Sequence, residues 1–274
     1  MSYREALSDR SIGISVSETP DMPALGLSDE HLRDAMAEVS RHLLALGARL
    51  VYGGDLRPQG FTELLFELVA RHRRDADESD LRTSVTNYLA WPVHIRMAWS
   101  DLEAYAAELA GSAALKLLRL DGAPLALTER TKLPEEQPSE AQWSRGLTAL
   151  RTTMLAETHA RIVLGGKVEG YNGAMPGVAE EALLSIRSGQ PLFVLGGFGG
   201  CARDIAETIG LAPIWAASRQ TWPGRDGFQG LTGTGLRNGL SSDENAILAR
   251  TPHVDQAVAL ILRGLLKLGR TASA

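Results

Sequence analysis

Three apolar runs in this sequence stop at a double glycine: LVYGGD at 50–55, IVLGGK at 162–167 and FVLGGFGG at 193–200. Short apolar runs closed by glycine read as buried strands followed by tight turns. Alternated with amphipathic stretches, they are the pattern of a parallel sheet covered by helices. Ligands of such proteins bind beyond the carboxyl ends of the strands. Glycine there adopts positive φ freely and lets a ligand approach the backbone. Where a helix starts just past the turn, its free N–H groups and positive dipole end favour an anion. A single glycine turn also serves plain chain reversal. Three on one kind of strand end predict a ligand site along one edge of the sheet. The chain has no Walker A sequence and no GxGxxG in its first turn.

The pattern predicts an α/β fold, a Rossmann-like three-layer sandwich with a mostly parallel central sheet flanked by helices. Strands are expected over 11–16, 48–52, 92–97, 115–120, 161–164 and 191–195. Helices are expected over 28–46 (Ser28 as N-cap, Gly47 just past the end), 62–74, 101–109, 139–158, 176–188, from about 201, and over 242–250 and 254–268. The polar stretch 121–140 carries three prolines and reads as a long loop; 222–239 holds six glycines and reads as irregular. The 274 residues are taken as one domain, with a core over about 11–210 and a C-terminal helical extension over 211–274.

Composition narrows the function. The formal net charge of −5 gives a general nucleic-acid role no support. Cys201 is the only cysteine and the six histidines show no HxxxH or HxH spacing, so neither a disulfide, a metal site nor a bound cofactor is expected. The N-terminus lacks the apolar run of a signal peptide, and no segment approaches a membrane span. The expectation is a cytoplasmic protein whose partner is a small molecule.

The densest signal is LGGKVEGYNGAMPGVAEE at 164–181. Gly165, Gly166, Gly173 and Gly177 leave bare backbone ahead of a helix, with Pro176 at its expected first position. At 100° per residue Val178, Ala179, Ala182 and Ile186 share the face that would pack on the sheet. Glu180 and Glu181 flank that face, and Leu184 projects between them. Two roles stay open for the glutamates: complementing the helix dipole, or lining an enclosed site.

The segment MPGVAEEALLSIRSGQPLFVLGGFGG resembles the SLOG superfamily, which joins LOG-type phosphoribohydrolases to DprA-like nucleotide-binding proteins. The family motif places a double glycine, then Gly-Thr with a glutamate three residues past the threonine, after a helix bearing Arg-Lys. Gly177–Glu181 fits that spacing, so the resemblance implies that Glu181 matches the catalytic glutamate and Arg151 one basic position. VYGGDLRPQGFTE is similar to the second-strand glycine turn. Val178 replaces the threonine, one arginine replaces the Arg-Lys pair, and 167–175 lengthens the loop. The stretches GGDLR-x-QGFTE and PGxxEEA…GGFGG resemble the non-LOG branches more closely, which include domains that sense ADP-ribose or cyclic ADP-ribose. The implied ligand is a nucleotide or NAD derivative.

The remaining candidates follow strand ends. Ser15 and Ser17 stand where the resemblance implies base or ribose. Gly53, Gly54, Asp55 and Arg57 form the second turn, with Asp55 for a ribose hydroxyl and Arg57 for phosphate, or the two as a loop ion pair. Gly197, Phe198 and Gly199 form the third, with Phe198 either stacking on a base or plugging the core. Trp215 and Trp222 are candidates for a lid. Three functions remain open: a nucleotide-derivative sensor, a hydrolase cleaving the N-glycosidic bond of a nucleoside monophosphate, and a ligand-free scaffold. Leu184 and an apolar closing helix (Val254, Val258, Ile261, Leu262, Leu265) point to a homodimer or higher homo-oligomer.

Overall fold

The structure is a computed structural model that describes residues 5–75, 84–109, 113–214 and 221–271. The elements in chain order are β1 (Ser11–Ser17), α1 (Asp29–Ala45), β2 (Arg49–Tyr52), α2 (Phe61–Asp75), β3 (Val85–Leu89), α3 (Trp91–His94), α4 (Trp99–Glu108), β4 (Ala113–Leu118), β5 (Pro124–Leu125) and α5 (Leu127–Arg130). They continue with α6 (Glu140–Glu157), β6 (Ala160–Gly165), α7 (Gly177–Arg187), β7 (Leu192–Leu195), α8 (Gly200–Thr208), α9 (Ser242–Arg250) and α10 (Val254–Thr271). The sheet runs β5-β4-β3-β2-β1-β6-β7. Its pairings are parallel except that of the edge strand β5 with β4, which is antiparallel. This is the expected α/β sandwich.

The two-residue period of the strands sets the layers. Ile12, Ile14 and Val16 of β1 and Ile162 and Leu164 of β6 pack with Leu32, Met36 and Leu43 of α1 and Val258 and Ile261 of α10. On the opposite face Val163 and Val194 meet Val178 and Ala182 of α7 and Ile205 of α8. The register pairs Gly13 with Arg161 and Ser15 with Val163, so a glycine, a serine and an arginine share that second face.

Helix ends follow their caps. Ser28 closes a capping box on α1, its amide donating to His31 Nδ1 at 3.0 Å. Ser139 does the same on α6 with Gln142.

Three expectations change. The third strand is VTNYL at β3, not 92–97. Pro92 lacks an N–H and suits the first turn of α3. Asn87 breaks the apolar run of β3 but is fully buried, trading hydrogen bonds with the Gly54 backbone. The polar stretch 121–140 is built around Arg130, 1% exposed, whose guanidinium donates to the carbonyls of Leu133, His94, Ile95 and Met97. The apolar residues of α10 lie against α1 within the chain, so they offer no free face. Among the described residues the exposed large hydrophobics are Ile214 and Ile247. No helix there is long and apolar enough to cross a membrane.

Trp215 lies outside the described residues. Trp222 is buried, not a lid: its indole N–H donates to Asp204 at 3.1 Å and its ring meets Phe228 edge-on.

His94 is fully buried, with Nε2 2.8 Å from the Leu118 carbonyl and Nδ1 without a partner among the described residues. Burial pushes its pKa down to about 4, and nearby Arg130 adds to this against the opposing Leu118 carbonyl. Between about pH 6.5 and 4 the unfolded chain therefore binds a proton that the folded chain refuses. This contribution is complete above about pH 6.5 and is lost as pH falls to about 4, on the order of 3 kcal/mol. Urea midpoints should fall less between about pH 7 and pH 4.5 in His94→Gln than in the wild type. Equal falls would remove His94 as the titrating group.

Candidate functional site

From β1 the chain builds β2, β3, β4 and β5 to one side, then returns through α6 to β6 on the other side of β1. Strand order therefore reverses at β1, where open α/β sheets leave a crevice. A cleft of about 380 Å³ opens there, at the carboxyl ends of β1, β2 and β3. Its walls are α6 and the loop leading from β6 to α7.

Of the residues singled out from sequence, Ser15, Ser17, Gly53, Gly54, Asp55, Arg57, Arg151, Gly177 and Glu181 line this cleft. Tyr52, Tyr88, Arg96, Trp143, Lys167 and Tyr171 line it too, and sequence reasoning passed them over. Trp143, Leu147, Leu150 and Arg151 recur at the spacing of one helical face, the signal that could have found the α6 wall. Burial, with Asp55 and Glu181 next in weight, raises the Tyr52 phenol far above its usual value, so it stays protonated.

Behind the cleft lies a buried chain of charge. Arg161, 1% exposed, donates to the Glu181 carboxylate and, at 2.9 Å, to Ser15 Oγ. Ser15 Oγ in turn donates to the same Glu181 Oε2 at 2.5 Å. Arg151 binds Glu180, which also accepts from Thr148 Oγ1 at 2.5 Å. Arg151 Nε stands 3.9 Å from Glu181 Oε1. Burial lowers the pKa of Arg161, Glu181 opposes this and Arg151 reinforces it. A guanidinium starts so far above neutrality that it remains charged. Glu181 Oε2 is thus taken by two donors, while Oε1 accepts no hydrogen bond among the described residues.

Both glutamates are buried and paired, so they do more than complement the α7 dipole. The carboxylate of Glu180 turns to Thr148 and Arg151 and is not part of the cleft lining. Helix α7 begins at Gly177 with Pro176 as its N-cap, one residue later than expected. Leu184 is half-buried, which weakens the case for a dimer at that point.

Most of the bare backbone serves the protein's own side chains. A Cβ on Gly13 would stand 3.1 Å from the Arg161 guanidinium carbon. One on Gly177 would be 2.8 Å from Arg151 Nη2, and one on Gly173 3.0 Å from Nη1. Gly53 makes room for Met154 and Leu150, and Gly54 for the Tyr52 ring and Thr62. Gly165 and Gly166 have φ of +61° and +100°, conformations that glycine adopts without strain. They lie behind the cleft lining: the Gly166 amide donates to Ser17 O, and the next amide, Lys167, to Ser17 Oγ at 3.2 Å.

The third turn is not brought to the cleft. Gly197 packs on the Thr251 backbone, 2.1 Å from an added Cβ, and Gly199 packs on Asp21. Asp21 Oδ2 accepts from the Gly200 amide at 2.6 Å. Phe198 is fully buried in the main core and stands as a plug, not a stacking ring. Among the described residues no cluster of three or more His, Cys, Asp or Glu could hold a metal ion.

The sequence profile of the family described as SLOG cluster2 matches residues 6–249. The chain belongs to the SLOG cluster2 family. No curated protein matches it. The SLOG match spans every strand of the sheet and includes Arg151, Arg161 and Glu181. SLOG membership suggests binding or processing of a nucleotide derivative in general.

The charge chain of this SLOG domain is open to a stability test. Removing one partner of a buried ion pair strands the other charge at a cost of about 3–5 kcal/mol. Arg161→Met should lose about that much in urea unfolding, since Glu181 would keep Ser15 as its one close donor. Unchanged stability would mean that the guanidinium contributes nothing to holding α7 on the sheet.

Proposed function

We propose that the cleft is a receptor site for a nucleotide or NAD-derived ligand of the ADP-ribose type. The observation that carries this reading is the divided Glu181 carboxylate. Oε2 is held by Arg161 and Ser15, and Oε1 accepts no hydrogen bond from the described protein. An oriented carboxylate oxygen with no donor of its own suits a ribose hydroxyl, in a charge-assisted hydrogen bond. Gly177 and Val178 at the start of α7, with Lys167 beside them in the lining, suit a phosphate. Leu147, Leu150 and the ring of Tyr171 offer apolar surface to a base.

A second reading, phosphoribohydrolysis of a nucleoside monophosphate, rests on Arg151 and Glu181 standing 3.9 Å apart at the start of α7. The receptor reading leads because one oxygen of Glu181 is already bound by two donors. A ligand-free scaffold has less support, since α10 is packed on α1 and Leu184 is half-buried.

Calorimetry against nucleoside monophosphates, NAD, ADP-ribose and cyclic ADP-ribose tests the site. Binding by at least one is expected, weakened about tenfold or more in Glu181→Gln. No binding at millimolar concentration would overturn the proposal. Chromatography of the same samples separates the two readings. Release of free base by the wild type, lost in Glu181→Gln, would replace the receptor with the hydrolase.

A further inference from the structure

The arginines around the cleft divide into paired and unpaired. Arg57 lies 3.2 Å from Glu18 and 3.5 Å from Asp55. Arg151 is bound by Glu180, and Arg161 behind it by Glu181. Arg96 lines the same cleft, is exposed, and has no acidic partner among the described residues. Its guanidinium carbon stands 5.7 Å from the centroid of the Trp143 ring. A second cation, the Lys167 side chain on the loop after β6, is also exposed and has no acidic partner among the described residues.

These cations stand at opposite ends of the cleft. Arg96 follows β3 through α3, whereas Lys167 follows β6, and β2 and β1 lie between those strands. Three strand spacings amount to about 14 Å. Along α6, the rise from Trp143, beside Arg96, to Arg151, beside Glu181, is about 12 Å. With their backbone anchors that far apart, the two cations suit two separate anionic groups better than one phosphate.

The indole also prepares Arg96 for its task. Cation–π attraction at that distance holds the guanidinium by the ring, and its N–H groups can bind an oxyanion through two parallel hydrogen bonds. We propose that the cleft selects nucleotide derivatives carrying two separated anionic groups, the second received by Arg96 on Trp143. This rests on the receptor reading of the same cleft and adds a specificity residue at its β3 end. The chemistry required is a planar pair of anionic oxygens, which either a phosphate monoester or a carboxylate supplies.

Two ligand pairs separate those sources in calorimetry. ADP-ribose against ADP-ribose 2′-phosphate adds a phosphate monoester; NAD against nicotinate adenine dinucleotide adds a carboxylate. In at least one pair the added anion should tighten wild-type binding about tenfold. In Arg96→Gln the ratio within that pair should fall to about one. No gain in either pair, or a gain that survives in Arg96→Gln, overturns the two-anion proposal. Where ADP-ribose or NAD still binds, that result leaves the receptor site standing. Binding by none of the four ligands overturns the two-anion proposal; the receptor site falls with it when nucleoside monophosphates and cyclic ADP-ribose fail to bind as well.

Discussion

A guanidinium inside a parallel sheet is an expensive thing to bury, and the architecture around the cleft can be read as the answer to Arg161. The register of β1 and β6 sets it opposite Gly13, whose missing side chain leaves room for it. Ser15, two residues along the same face, supplies one acceptor, and α7 must approach closely enough for Glu181 to supply the other. A slip of one residue in β6 would turn Arg161 into the aliphatic layer of α1 and α10. The charge therefore fixes the placement of α7, and with it the orientation of the Glu181 carboxylate in the cleft lining.

Glycine in this chain answers to that charge chain more than to a ligand. Gly13, Gly173 and Gly177 leave space for two guanidinium groups, and Gly53 for the side chains of α6. In the loop from β6 to α7, Gly173 and the first helical residue Gly177 are bare where they close over Arg151. In the GGFGG run Gly197 lies directly against Thr251 between α9 and α10, Gly199 against Asp21 and Gly200 against the Gly165–Gly166 backbone. Bare backbone in sequence thus marks close approach, and the approaching group can be the protein itself.

Most of the fold was legible. Apolar runs and cap residues located five of the six parallel strands and most helices, and the resemblance to the SLOG motif pointed to Glu181 and Arg151, both of which line the cleft. What escaped did so for physical reasons. β3 carries a buried asparagine, whose side chain holds the neighbouring turn, so its hydropathy is interrupted. Arg161 was read as the polar start of a strand, since nothing local says that a charge finds Ser15 and Glu181 far along the sequence. Arg96 and Trp143 are distant in sequence and meet only once α3 and α6 pack together. Phe198 was ambiguous because a core ring and a stacking ring look alike in a linear sequence.

The SLOG match ends at residue 249, inside α9, yet α10 follows and covers α1. Gly264 of α10 sits so close that an added Cβ would stand 2.8 Å from the Phe193 ring. A fragment trimmed at the family boundary would strip the roof from α1 and leave an oily flank facing water, inviting aggregation instead of yielding a minimal domain. The helix that similarity would discard is part of what keeps the sheet beneath the cleft dry.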